Sequence, residues 1–170
     1  MEYPHRKKIR LDPDRYSKNG AYFITICTKD RKCILSRIVG GGVLDAPALH
    51  LLPPGAAAEE RIRQMNMTYP EVQTVKYAIM PNHIHLLIHI TRDETCGAAG
   101  PSGTPAPTNG LIPQYISTFK RMCNRQIGGD LWQRSYHDRI IRNDAEYDMI
   151  WQYIDTNPLR WETDCFYTEE

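Results

Sequence analysis

Four residues have the types and spacings to do chemistry together: His83 and His85 in Asn82-His83-Ile84-His85, and Tyr153 with Asn157 in Tyr153-Ile154-Asp155-Thr156-Asn157. Imidazole nitrogens bind divalent metals. On an extended strand, residues two apart share a face at about 6.6 Å, so both rings can converge on one ion. His89 stands on the same face but roughly 13 Å beyond His85, too far to join them. Half-buried polar residues at a strand end can produce the same short pattern, so the rest of the chain has to discriminate.

The elements that must position these groups are legible. Tyr77 to Ile90 holds two apolar runs around Pro81-Asn82, which predicts two strands joined by a turn. Along the second strand Ile84, Leu86, Ile88 and Ile90 face away from the histidines and form core. Asn143 with Glu146 three residues on predicts the start of a helix over 144–156, which Pro158 ends. Its apolar stripe is Tyr147, Ile150, Trp151 and Ile154. Tyr153 falls about 110° from the middle of that stripe, and Asn157, four residues further, projects from the same side. Both are thus free to point at something other than the core.

Before these come a basic arm (1–20), a strand over 21–28, a shorter strand from Ile34 to Val39, and a Gly40-Gly41-Gly42 break. An ambiguous segment, 43–52, fits an edge hairpin. A helix over 55–67 with Ala58, Ile62 and Met65 inward leads to a strand over 72–80. Residues 91–109, dense in Gly and Pro, read as a mobile loop within one domain spanning 1–170. A helix then runs from Leu111 to Ile127, with Ile112, Ile116, Phe119, Cys123 and Ile127 as its apolar stripe and Lys120, Arg121 and Arg125 outward. Residues 131–137 fit a short strand or an irregular segment, leaving 137–143 as a connection. This order predicts an α+β fold with an antiparallel sheet covered by helices.

The 170 residues carry a net charge of only +1, with 41% hydrophobic and 24% charged residues, as in ordinary soluble globular proteins. No apolar run reaches the roughly 18 residues of a membrane span, and no signal-peptide pattern opens the chain, so the expected location is the cytoplasm. The five cysteines include no C-x-x-C pair, which argues for free thiols and against a zinc ribbon. Charge is uneven. Arg6, Lys7, Lys8 and Arg10 have no neighbouring carboxylate, and residues 114–142 hold six basic residues against Asp130 and Asp138. Such segments are compatible with nucleic-acid binding.

Taken together, Met80-Pro81-Asn82-His83-Ile84-His85 resembles the histidine-hydrophobic-histidine signature of the HUH single-tyrosine (insertion-sequence type) transposases. Leu131 to Asp138 followed by Tyr153-Ile154-Asp155-Thr156-Asn157-Pro158 resembles the branch called REP-associated tyrosine transposases. The segments Tyr22 to Thr28 and Phe119-Lys120-Arg121 resemble that branch too.

The resemblance implies a ferredoxin-like α+β fold with the histidines on a central strand and the catalytic tyrosine on the last helix. It implies a divalent ion, Mg2+ or Mn2+, held by His83 and His85. Asn157 stands at the third-ligand position, where insertion-sequence relatives have glutamine. Tyr153 would be the nucleophile, leaving a 5′-phosphotyrosine bond and a 3′-hydroxyl. The substrate implied is single-stranded DNA beside a hairpin. Phosphate contacts are expected from Lys7, Lys8, Arg10, Lys120, Arg121, Arg125, Arg139 and Arg142, with His137 on a positioning segment near the site. The branch is expected to work as a monomer, although some relatives are dimers. Three other readings stay open on sequence: a non-catalytic DNA-binding module, a metal-dependent phosphodiesterase that uses water, and a structural protein whose histidines bind nothing.

Overall fold

The computed structural model describes residues 18–40, 48–92 and 110–168. The arm expectation, including Lys7, Lys8 and Arg10, and most of the 91–109 loop lie outside the described residues. The described elements are β1 (Gly20–Cys27), β2 (Ser36–Val39), β3 (Ala48–Leu51), α1 (Pro53–Thr68), β4 (Val72–Ile79) and β5 (His83–Ile90). After these come α2 (Leu111–Ile127), β6 (His137–Ile141), α3 (Asp144–Thr156) and a 3-10 turn, Asn157–Thr163.

Four strands form one antiparallel sheet in the order β4-β5-β1-β6, and β2-β3 form a separate two-stranded ribbon. Without the ribbon, the order β1-α1-β4-β5-α2-β6 is the β-α-β-β-α-β arrangement of ferredoxin-like folds. The expected fold class is therefore observed.

Alternation along the two central strands splits the molecule into two cores. Tyr22, Ile24, Ile26, Ile84, Leu86, Ile88 and Ile90 pack under α1 and α2, against Ala58, Ile62, Ile112, Ile116 and Phe119. The opposite face carries Leu87, Ala78 and Met80 under Ile150 and Ile154 of α3. The histidine face is therefore as buried as the core face: only His89 of β5 escapes full burial. Each fully buried aliphatic side chain contributes about 1.5–3 kcal/mol, so both layers hold β5 rigid.

The turn before the histidines is fastened from two sides. Thr28 donates to the Asn82 carbonyl through its amide (2.9 Å) and its hydroxyl (3.0 Å), and the Leu35 amide donates to the Pro81 carbonyl at 2.9 Å. Leu35 is itself clamped, because the first turn of α1 lies directly on its carbonyl. A Cβ added to Gly55 would come within 1.9 Å of that oxygen, so only glycine fits. Gly128 ends α2 in the left-handed conformation (φ 78°), as its place after the apolar stripe predicts.

Three expectations need correction. Residues 131–136 take the irregular alternative, with an isolated bridge from Trp132 to Thr28, whereas the segment assigned as a connection carries a strand, His137–Ile141, that forms the sheet edge. Its polar, charged sequence suits an edge strand, which blunts further pairing, rather than the apolar signature of a central one. Ile127, counted on the α2 stripe, is 37% exposed because it lies at the end of the helix beyond the sheet. Trp151 is also 37% exposed: its ring lies 4.0 Å from the Lys76 ammonium instead of in the core.

Candidate active site

The first strand partner of His85 is Thr25, which stands directly across from it in the β1–β5 register. Cross-strand partners share a face, so the Thr25 hydroxyl lies 2.9 Å from His85 Nδ1. His83 Nδ1 lies 2.9 Å from Asn82 Oδ1. Because Asn82 Nδ2 donates to the Phe166 carbonyl at 2.8 Å, its Oδ1 is the acceptor and the His83 proton sits on Nδ1. His83 therefore presents a lone pair at Nε2, and Thr25 can fix the same tautomer in His85 by accepting from Nδ1–H.

The two Nε2 atoms face each other at 3.0 Å. Two lone pairs at that distance repel unless a proton or a cation stands between them. Burial disfavours the proton: it lowers the His83 pKa from 6.5 to about 4, assisted by the Arg31 charge and opposed by Asp164. His85 is also held well below its ordinary value, by burial first and by His83 second. A neutral, converging, buried imidazole pair is the donor set that a divalent cation requires.

Tyr153 is brought to this pair by α3. The helix begins where Asn143 Oδ1 accepts from the Glu146 amide, while Glu146 returns to accept from the Arg142 amide. With Ile150 and Ile154 buried against the sheet, Tyr153 projects from the helix flank and its hydroxyl comes 3.3 Å from His85 Nε2. Phe23 wedges both rings, stacked on His85 at 5.1 Å and edge-on to Tyr153 at 5.9 Å. Asn157 continues the helical geometry (φ −57°, ψ −42°) and is 1% exposed. Pro158 thus does not fray it, because the chain passes directly into the 3-10 turn.

Sequence reasoning missed Asp164. The 3-10 turn folds the chain back so that its carboxylate joins the two histidines, with one ligand atom from each of the three within 4.8 Å of the others. Asp164 Oδ2 accepts from Tyr153 O–H (3.1 Å) and from Asn157 Nδ2 (2.9 Å), and Oδ1 accepts from the Phe166 amide (2.7 Å). That orientation leaves Asn157 Oδ1 buried without a hydrogen-bond partner among the described residues. Burial, the Asp164 charge and the hydrogen bond to it push the Tyr153 hydroxyl above its ordinary value of 10. The only signal for Asp164 in the sequence is a carboxylate flanked by aromatic residues soon after the helix-ending proline.

The expected phosphate contacts are distributed unevenly. His137 lies opposite Thr25 in β6, so His85, Thr25 and His137 form one row across three strands. Arg139 is on the same face and is ion-paired with Glu146. Arg142 is exposed at the start of α3, and Arg121 and Arg125 are exposed on α2, on the side of the sheet away from Tyr153. Lys120 does not project outward: its ammonium donates to the carbonyls of Gln133 (2.7 Å) and Ser135 (2.8 Å). No helix among the described residues is long and apolar enough to cross a membrane.

The β-α-β-β-α-β sheet thus sets its paired histidines against a helix-borne tyrosine. The chain is 30% identical to an "Uncharacterized protein" of Haemophilus influenzae, over 97% of this chain and 94% of that protein. It is 24% identical to a second protein of that organism, "Putative REP-associated tyrosine transposase", over 85% of this chain and 73% of the other. A solved structure of a REP-associated tyrosine transposase bound to a REP hairpin superposes with a TM-score of 0.57 at 17% identity, covering 94% of this chain and 74% of that one. No protein-family model matches the sequence. The chain belongs to the family of the first Haemophilus influenzae protein, and its fold is that of the REP-associated tyrosine transposases.

Proposed function

We propose that this protein is a DNA nicking and joining enzyme that cuts single-stranded DNA beside a hairpin, with Tyr153 as nucleophile. The observation that carries this reading is the 3.3 Å approach of the Tyr153 hydroxyl to His85 Nε2, in a site where both histidines are neutral. His83 and His85 would hold a divalent ion, Mg2+ or Mn2+, with the unpartnered Asn157 Oδ1 as a further donor and Asp164 as the compensating charge. When bound, that ion supplies charge withdrawal from a phosphodiester.

The chain's own groups account for the rest. The Tyr153 oxygen forms a bond to phosphorus and the bond to O3′ breaks, leaving a 5′-phosphotyrosine and a 3′-hydroxyl. The tyrosine proton has an acceptor in place, Asp164 Oδ2 at 3.1 Å, and the departing O3′ takes up a proton. Phe23 packs against both rings and holds their relative orientation. The covalent bond conserves the energy of the phosphodiester, so a new 3′-hydroxyl can reverse the step. His137 and the basic residues Arg121, Arg125, Arg139 and Arg142 would meet phosphates.

The test separates this from hydrolysis. Hairpin DNA with a single-stranded flank is incubated with Mn2+, and the 5′ end of the downstream product is analysed. A blocked 5′ end that disappears in Tyr153→Phe supports the proposal. A free 5′-phosphate still formed by Tyr153→Phe overturns it in favour of a metal-activated water.

A further inference from the structure

On the outer side of the 3-10 turn that carries Asn157 inward lies a groove of about 860 Å³. One wall is β2, with Arg37 and Ile38. The other is the segment 158–163, with Arg160 and Trp161, and Tyr167 also lines it. Trp161 forms an edge-to-face pair with Tyr167 at 5.4 Å, and its ring lies 6.0 Å from that of His83. The groove therefore abuts the histidine pair through a single aromatic side chain.

The lining chemistry is specific. Arg37 and Arg160 are both exposed and make no ion pair among the described residues, against one lining carboxylate, Glu162. Two cationic guanidinium groups flanking a pair of partly exposed aromatic rings match a nucleic-acid strand whose bases are not paired. Phosphates pair with arginine, and free base faces stack on tryptophan and tyrosine. A duplex offers no free base faces, so the aromatic pair adds nothing to its binding.

We infer that this groove seats the unpaired nucleotides next to the scissile phosphate, with a base on Trp161 or Tyr167 and phosphates on Arg37 and Arg160. The inference rests on the proposed function and adds to it a strand-binding subsite formed by β2 and the segment after Asn157.

The experiment measures affinity by fluorescence anisotropy with fluorescein-labelled DNA hairpins of randomised stem. Each hairpin is made blunt and with an oligo-dT extension on its 5′ or 3′ side. The proteins are wild type, Trp161→Ala, and the exposed-site variant Arg37→Glu/Arg160→Glu, whose folding does not depend on the aromatic pair. Wild type is expected to favour one extended hairpin over the blunt one. Both variants should lose that preference, on the order of tenfold or more, with blunt-hairpin affinity within about twofold of wild type. Equal loss on blunt and extended DNA, an unchanged preference, or no preference in wild type overturns the groove assignment while leaving hairpin binding intact. No wild-type affinity for any of the hairpins overturns the functional reading as well.

Discussion

The Tyr153 hydroxyl donates to Asp164 Oδ2 at 3.1 Å, and the same oxygen accepts from Asn157 Nδ2 at 2.9 Å. One carboxylate thereby orients both the candidate nucleophile and the amide whose other end, Oδ1, meets no donor among the described residues. Replacing Asp164 with asparagine removes its charge from beside His83 while keeping its shape. Supporting residues of this kind typically alter metal affinity by about 10–100-fold. Asp164→Asn should weaken Mn2+ binding by that order in calorimetric titration. Affinity equal to wild type would remove Asp164 from the metal-binding role.

Acid should destabilise the metal-free protein. Burial holds His83 neutral, with its pKa lowered from 6.5 to about 4, whereas the unfolded chain takes up a proton near 6.5. Stability is thus full above about 6.5 and is lost as pH falls toward 4, because the unfolded state binds more protons in that window. Thermal melts across the range should show a falling Tm, and His83→Gln should flatten the slope. An acid-insensitive wild type would contradict the buried, neutral pair.

Lys120 and Arg121 are adjacent in sequence and should separate in behaviour. The Lys120 ammonium is held by the Gln133 and Ser135 carbonyls, and a hydrogen bond from a charged group contributes about 1.5–3 kcal/mol. Lys120→Met should lower stability in urea denaturation and leave the salt dependence of DNA binding unchanged. Arg121→Ser should do the reverse, reducing the salt slope by about one. A Lys120 variant of normal stability with a shallower salt slope would return Lys120 to the phosphate contacts.

Gly55→Ala tests the clamp behind the Pro81-Asn82 turn. The new methyl would meet the Leu35 carbonyl oxygen at 1.9 Å, so α1 or the backbone at Leu35 must move. The expected loss is about 1–3 kcal/mol, a Tm drop of several degrees, read by thermal denaturation. An unchanged Tm would show that the contact can relax freely.

Most of the framework could be read from local pattern. β5 and α2 carry strong period-2 and period-3.6 signals, and α3 announces its start through Asn143 and Glu146, so their limits match the structure closely. β6 was not legible because His137-Asp138-Arg139 has an edge strand's polarity, which local pattern does not separate from a loop. Lys120 sits off the apolar stripe, but helical geometry alone does not reveal that carbonyls from 133–135 fold over it. Asp164 is the instructive omission. Nothing periodic ties it to His83, and only the 3-10 turn after Asn157 brings it home. His83, His85, Tyr153 and Asn157 could be grouped from sequence because strand and helix periodicity fix side-chain direction, whereas a turn does not.

The central claim is that the Tyr153 oxygen becomes the 5′-phosphate acceptor. The most direct measurement is mass spectrometry of the protein after incubation with Mn2+ and flanked hairpin DNA, followed by nuclease trimming and peptide mapping. The account predicts a nucleotide mass on the peptide containing Tyr153, absent in His83→Ala and in Tyr153→Phe. DNA cleaved with no adduct, or an adduct on another residue, would contradict it.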